Sequence, residues 1–258
     1  MKKMYLIFIL SLLILTGCTN SISEEDTQKY QDLSNQYTSF VQNDIALEPS
    51  FQEFINQATL ISELSNIMIK VQYYDDMNNL IETKYGSGVV FKSATTFEYA
   101  LTSSDLLKMP DGVYQARYVV YDYQGRITAG YLDLELEDYQ LSVIRFLKDS
   151  HYSLPGIKIG STIPMFGEPI LLLGYQHQII NAMSLGLMQK ETIPDDFNNV
   201  YFNSSVPSDV YANGGAILNI NNELIGIQIA TQNNYSFAVA ISSILHTLDV
   251  FYQQHIFQ

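Results

Sequence analysis

Cleaving an amide by acyl transfer takes a nucleophile, a group that accepts its proton and a carboxylate that orients that group. Side chains able to fill these roles are sparse in this chain. The four histidines are His151, His177, His246 and His255. None stands in a motif with serine or cysteine, and no two have metal-ligand spacing. The single cysteine is Cys18. Carboxylates cluster at Glu135, Glu137 and Asp138, which reads as a solvated strand end rather than a cation site. No phosphate-binding loop or dinucleotide fingerprint is present, so neither metal nor cofactor is expected. The most informative stretch is Asn213-Gly214-Gly215, followed by Ala216-Ile217-Leu218, a turn around Asn221-Asn222, and Leu224-Ile225-Gly226-Ile227. Two glycines allow a corner that a Cβ would block, and asparagine tolerates the positive φ of a hairpin turn.

Further segments share the order of one family. Gly86-Ser87-Gly88-Val89-Val90-Phe91 reads as a strand opening. Leu101-Thr102-Ser103-Ser104-Asp105-Leu106, Gln140-Leu141-Ser142-Val143-Ile144, Gly167-Glu168-Pro169-Ile170 through Tyr175, Met183 through Met188, and Ser236-Phe237-Ala238-Val239-Ala240 follow in sequence. Together with the glycine corner, this series resembles the trypsin-like serine proteases, especially the bacterial HtrA/Deg branch. The resemblance covers about residues 64–250. It implies an all-β fold, a double antiparallel β-barrel with a cleft between the barrels, flanked by N-terminal helices and a C-terminal helix. It also places the family's histidine, aspartate and serine at Asp105, Gln140 and Asn213, so no catalytic residue is expected. The oxyanion-loop positions become Tyr211 and Asn213. Tyr211 stands where the family has glycine, which implies a collapsed loop. The chain ends soon after the last helix, without the PDZ domain common in the branch.

The elements that must hold these positions are visible as periodicity. Ile67, Ile69, Val71 and Tyr73 alternate with polar neighbours, as a half-buried strand requires. Asp75 to Asn79 reads as a turn. Strands are expected at 81–91, 97–103, 114–121, 126–136, 141–147, 169–174, 183–189, 216–220, 224–230 and 236–240. Ile244, Leu245, Leu248, Phe251 and Tyr252 mark a C-terminal helix over 242–255. Upstream, Tyr30, Leu33, Tyr37, Phe40 and Val41 have helical spacing over 27–44. Ser50 with Glu53 forms a capping box for a second helix bearing Phe51, Phe54, Ile55 and Ala58. These helices either pack on the domain and hold it off a membrane, which an aromatic stripe favours, or form a partner-binding hairpin.

Met1-Lys2-Lys3, the apolar run from Met4 to Leu15 and Thr16-Gly17-Cys18 have the shape of a secretory signal. Leu15-Thr16-Gly17-Cys18 also resembles the bacterial lipobox, implying lipidation of Cys18 and cleavage after Gly17; an uncleaved anchor is the alternative. The expected organisation is a lipoprotein signal peptide at 1–17, a tether and helical segment at 18–63, and the double barrel at 64–258. The expected location is the cell membrane, lipid-anchored on its extracytoplasmic face, in the cell envelope. The partners are then the bilayer, through acylated Cys18, and a protein or peptide. With 27 acidic against 13 basic residues and a net charge of −14, nucleic acid is excluded. An extended peptide could add a strand along the edge Ile227, Gln228, Ile229 and Ala230. The competing reading is an active serine endopeptidase with a substitute nucleophile such as Ser205 or Ser208, and a third is a purely structural role.

Overall fold

The computed structural model describes residues 55–191 and 195–255. The helix expected over 27–44, the Ser50 capping box and Cys18 lie outside the described residues. Residues 55–65 form one helical stretch, closing through a π turn at Ala58–Ser62 and a 3₁₀ turn at Glu63–Ser65. It is attached to the second half of the molecule. Ala58 is fully buried, and Glu63 accepts a hydrogen bond from the Asn181 amide at 3.2 Å.

Twelve strands follow. In the first half they are β1 (Asn66–Tyr74), β2 (Leu80–Ser93), β3 (Phe97–Ser103), β4 (Gln115–Tyr121), β5 (Ile127–Leu136) and β6 (Leu141–Leu147). In the second they are β7 (Pro169–Gln176), β8 (Ile179–Glu191), β9 (Tyr201–Pro207), β10 (Ala216–Leu218), β11 (Leu224–Gln232) and β12 (Tyr235–Ala240). Each half closes into an antiparallel six-stranded barrel, ordered β1-β2-β3-β6-β5-β4 and β10-β11-β12-β9-β8-β7. A one-turn helix, α1 (Ser104–Leu107), follows β3, and α2 (Ile241–His255) ends the described chain.

Alternation along the strands sorts the core into three parts. Ile67, Ile69, Val71, Val90, Val120, Ile144 and Phe146 fill the first barrel. Ile170, Leu172, Phe202, Ile217, Ile225 and Ala238 fill the second. Val89, Leu101, Val143, Leu171, Leu173, Ala216, Leu224 and Ile227 form a layer shared between barrels, joined by Ile241, Ile244, Leu248 and Phe251 of α2. This explains why β7 is buried at every position: it faces its own barrel with one side and the shared layer with the other. Strands with two buried faces lose the polar alternation of a half-exposed strand.

Four hairpin connections use one device. Asp75, Asp122, Asp195 and Asn219 each accept two backbone N–H bonds on Oδ1, from residues two and four positions later, at 2.7–3.0 Å. The residue three positions on is Asn78, Gly125, Asn198 or Asn222, each in the left-handed region with φ between 57° and 78°. A short acceptor side chain followed by a residue that tolerates positive φ therefore closes each turn from within.

One strand departs from expectation. β9 was not anticipated, because its inward positions are Phe202, Ser204 and Val206, all buried. A serine in the middle of that face hides the apolar alternation. β8 also runs four residues earlier than the alternation suggests, to the two-residue turn His177-Gln178, where both residues have positive φ.

Candidate functional site

The chain Asp209–Gly215 connects β9 to β10 and meets the first barrel at β2. Asp209 shapes its start. Oδ1 accepts the Tyr211 N–H at 3.0 Å, and Oδ2 accepts the His177 N–H at 2.7 Å. The His177 ring nitrogen Nδ1 lies 3.0 Å from the same Oδ2. This pairing holds the unusual His177-Gln178 turn. Val210–Ala212 then form a 3₁₀ turn, and the Asn213 N–H points back to the Val210 carbonyl at 3.4 Å.

The glycines of the corner face different demands. Gly214 has φ of 88°, and a Cβ there would lie 2.0 Å from the Ser87 carbonyl oxygen and 2.2 Å from Thr102 Oγ1. Only glycine meets both constraints. Gly215 has an ordinary φ but no room, since a Cβ would sit 2.8 Å from the Ala212 oxygen. The corner is fastened to β11 as well: the Gly214 N–H donates to the Gln228 oxygen at 2.7 Å, and the Gln228 N–H donates to the Gly215 oxygen at 2.9 Å.

Ser87, fully buried on β2, is the hub between the barrels. Its N–H donates to the Asn213 oxygen at 2.7 Å and its carbonyl accepts from Thr102 Oγ1 at 2.6 Å. Its hydroxyl donates to the Tyr211 oxygen at 3.2 Å and accepts the Tyr175 N–H at 2.7 Å. Two segments of the second barrel, β7 and the corner, thus meet on one side chain. The strand-opening pattern at Gly86–Phe91 gave no sign of this role.

A cavity of about 430 Å³ opens beside the corner, lined by Thr83, Lys84, Tyr85, Asp105, Leu106, Val210, Tyr211 and Asn213. The structure therefore brings Asp105 and Asn213 to one pocket. Gln140 stands behind it: in left-handed conformation, with φ of 58°, it accepts the Ser104 N–H on its carbonyl at 3.1 Å and so fixes the start of α1, which carries Asp105. At the positions that the resemblance assigns to histidine, aspartate and serine, the side chains are a carboxylate and two amides, and Asp105 and Asn213 share the pocket. A primary amide is a very poor nucleophile and offers no proton that a carboxylate can remove near neutral pH. Both N–H groups of the oxyanion-loop positions, on Tyr211 and Asn213, are directed at protein acceptors. An oxyanion hole needs such donors aimed at the reacting oxygen.

The substitute groups are committed elsewhere. Ser205 Oγ accepts the Leu187 N–H at 2.9 Å, and Ser208 Oγ lies 3.1 Å from Thr231 Oγ1. None of the histidine rings hydrogen-bonds to a hydroxyl. His246 is exposed and stacks on Tyr139 at 4.2 Å between centroids. His255 Nε2 lies 3.1 Å from Asp133 Oδ2 where α2 meets the first barrel, and His151 lies in the linker between barrels. In the acidic cluster, Glu137 pairs with Lys108 at 2.8 Å. Burial and then the charge of Glu137 raise the Glu135 carboxyl above its ordinary value. Among the described residues, no group of three or more His, Cys, Asp and Glu could hold a metal ion.

The strand-addition edge is shorter than the sequence suggests. Ile227 pairs with Ala216 on one side and Val239 on the other. Gln228 is bonded to the glycine corner and pairs with Ala238. Only Ile229 and Ala230, with Thr231 and Gln232 beyond, lack a strand on the β10 side among the described residues. A three-residue β10 leaves the longer β11 uncovered there.

Three tyrosines meet at the pocket, of which the sequence singled out Tyr211 alone, as an oxyanion-loop position. Tyr85, Tyr175 and Tyr211 have ring centroids 5.6–6.5 Å apart, in tilted and edge-to-face arrangements. They come from β2, β7 and the corner, so no local spacing links them. Burial, then the neighbouring Tyr85, Tyr211 and Asp209, raise the Tyr175 phenol above its ordinary value, which keeps it neutral.

No protein-family model matches this chain, and no curated protein matches it. Among solved structures it is similar to the HtrA-type protease AlgW, in a serine-to-alanine variant with a decapeptide, at 17% identity and a TM-score of 0.61. The match covers 78% of this chain and 67% of that one. The two six-stranded barrels and the terminal helix are therefore the trypsin-like double-barrel fold.

Proposed function

We propose that this chain is a membrane-anchored lipoprotein that carries a trypsin-like protease fold, does not cut peptide bonds, and acts by binding an extended segment of another protein. The observation that carries this reading is the state of the pocket. Asp105, Gln140 and Asn213 occupy the positions that the resemblance assigns to histidine, aspartate and serine, and the N–H groups of Tyr211 and Asn213 are turned onto Asp209 and Val210. Without a nucleophile, a base or free oxyanion donors, the scaffold keeps only its cleft. The uncovered edge at Ile229–Gln232 offers unpaired backbone groups to an added strand. The similar HtrA-type structure holds a decapeptide, which supports peptide binding as the retained property. The anchor rests on the lipobox resemblance at Cys18, where two acyl chains give stable attachment.

A fluorophosphonate probe tests the chemical half. The expected result is no stoichiometric labelling. Stoichiometric labelling that disappears in Ser205→Ala or Ser208→Ala would establish an active serine endopeptidase instead. For the anchor, Cys18→Ala should move the protein from the membrane fraction to the soluble one.

A further inference from the structure

The pocket beside Asn213 has features that select a ligand by charge. Its carboxylate, Asp105, is exposed on α1 and has no ion pair among the described residues. Two lysines flank the same rim: Lys84 lines this cavity, and with Lys108 it lines a neighbouring one beside Asp105, but neither makes an ion pair with Asp105. Lys84 Nζ sits 5.3 Å from the centroid of the Tyr73 ring, and Lys108 Nζ is 2.8 Å from Glu137. Asp209, behind the pocket, is bonded to His177 and Tyr211. Tyr85 and Tyr211 line the cavity, with Tyr175 packed against both rings. Asn213 Oδ1 makes no hydrogen bond and is buried in the wall. The local inventory is an unpaired carboxylate, aromatic surface and an unused acceptor. A cation matches these three groups, although Lys84 also lines the cavity, and the chain as a whole carries −14.

We propose that this pocket takes a basic side chain, with arginine preferred, from the extended segment bound in the cleft; this rests on the binding reading given above. A guanidinium has a flat face that stacks on a tyrosine ring and several N–H donors that reach a carboxylate at the same time. A volume of about 430 Å³ has room for one such side chain. The site is distinct from the strand edge at Ile229–Gln232. The edge would hold the backbone of the segment irrespective of sequence, whereas the pocket would choose among segments.

The test uses Nα-acetyl-L-arginine methylamide, followed by NMR shift titration of the tyrosine rings of the full chain. Its norleucine counterpart matches the aliphatic stem without the charge. The expected result is saturable movement of the Tyr85 and Tyr211 resonances with the arginine compound alone. Asp105→Asn should weaken that binding about fivefold, as expected for the loss of one partly solvated charge contact. Tyr211→Leu should weaken it by a similar factor through loss of the ring face. Asp76→Asn, in the remote β1–β2 turn, should leave it unchanged. An equal response to norleucine, an unchanged affinity in Asp105→Asn, or no saturable response would overturn the proposal. A neutral extended peptide that binds as well as an arginine-bearing one would end this inference and keep the binding reading. Arginine-compound binding with no polypeptide bound by the protein would do the reverse.

Discussion

The turn Asn219–Glu223 and the corner Asp209–Gly215 lie on either side of the three-residue strand β10 and differ in how far their fastenings reach. Asn219 closes its own turn: its Oδ1 takes the N–H groups of Asn221 and Glu223, and its backbone bonds the oxygen of Glu223. Every hydrogen-bond partner of Asn219 lies within four residues, while Glu223 at the end of the turn also pairs with Lys158 at 2.7 Å. The corner has internal bonds, from Tyr211 and Ala212 to Asp209, Asn213 to Val210 and Gly215 to Ala212, but it is tied as much from outside, by Ser87 of the first barrel, His177 of the β7–β8 turn and Gln228 of β11. A turn of the first kind can form early and can be exchanged between proteins. A corner of the second kind exists only after both barrels have closed and docked. That dependence makes it a place where the relation between barrels is registered.

The contrast predicts unequal responses to small substitutions. The largest is expected for Gly214→Ala. The new Cβ meets the Ser87 oxygen at 2.0 Å, backbone against backbone, at a φ that alanine resists. Strain and overpacking together should cost about 3 kcal/mol or more, read as a fall in the denaturation midpoint. A loss under about 1 kcal/mol would mean that the corner yields easily and that the barrels are not locked through it.

Ser87→Ala comes next. It keeps both backbone bonds of residue 87 but removes the acceptor of the buried Tyr175 N–H and the donor to the Tyr211 oxygen. A stranded buried N–H should make this change destabilising by about 2 kcal/mol. Ser87→Thr retains the hydroxyl, so a smaller loss there would separate the hydrogen bonds from simple packing. Differential denaturation of the two variants provides that measurement.

These two positions also show where the sequence stopped being readable. The strands and their turns follow from alternation and from Asx chemistry, which are local properties; Asp75–Asn79 and Asn221-Asn222 could be read directly. β9 escaped because Ser204 occupies an inward place, where its hydroxyl donates to the Ser236 oxygen and accepts the Val206 N–H. Asp105 and Asn213, read by resemblance, do line one pocket, and Gln140 bonds through its carbonyl to Ser104 beside it. The wiring of the site was not legible. Ser87, Asp209 and the three tyrosines are brought together across separations of about a hundred residues, and no periodicity encodes such pairings. The strand edge was misjudged at Ile227 and Gln228 because the length of β10, which decides what it covers, depends on where the corner ends.

Asn219→Ala should have a smaller effect than either corner variant. It frees two N–H groups at a partly solvated turn, where water replaces the lost acceptor, so about 1 kcal/mol is expected. The other three turns should be indifferent to it, since none shares a hydrogen-bond partner with Asn219. Hydrogen exchange confined to residues 219–224 would agree with that independence. Exchange spreading into Gly214 and Gln228 would show that the turn and the corner are coupled after all.

The smallest effect isolates charge from shape. Asp75 and Asn219 make the same pair of backbone hydrogen bonds, one with a carboxylate and one with an amide. Asp75→Asn should therefore preserve the geometry of the β1–β2 turn. What it removes is ionisation. Hydrogen bonds from the Asn79 side chain, then from the backbone of Asn79 and of Met77, hold the Asp75 carboxyl below its ordinary value of 3.8, with weak opposition from burial. A folded-state value below the unfolded one adds stability above the unfolded value, and that stability is lost as pH falls through the folded one. Wild type should therefore exceed Asp75→Asn most at pH 6, and the gap should close as pH drops below 3.8. Because Asp75 is on the surface, salt should narrow the gap only slightly if hydrogen bonds cause the shift, and strongly if long-range charge does. A gap that stays constant across that pH range would place the difference in turn geometry, and the four turns would no longer be equivalent.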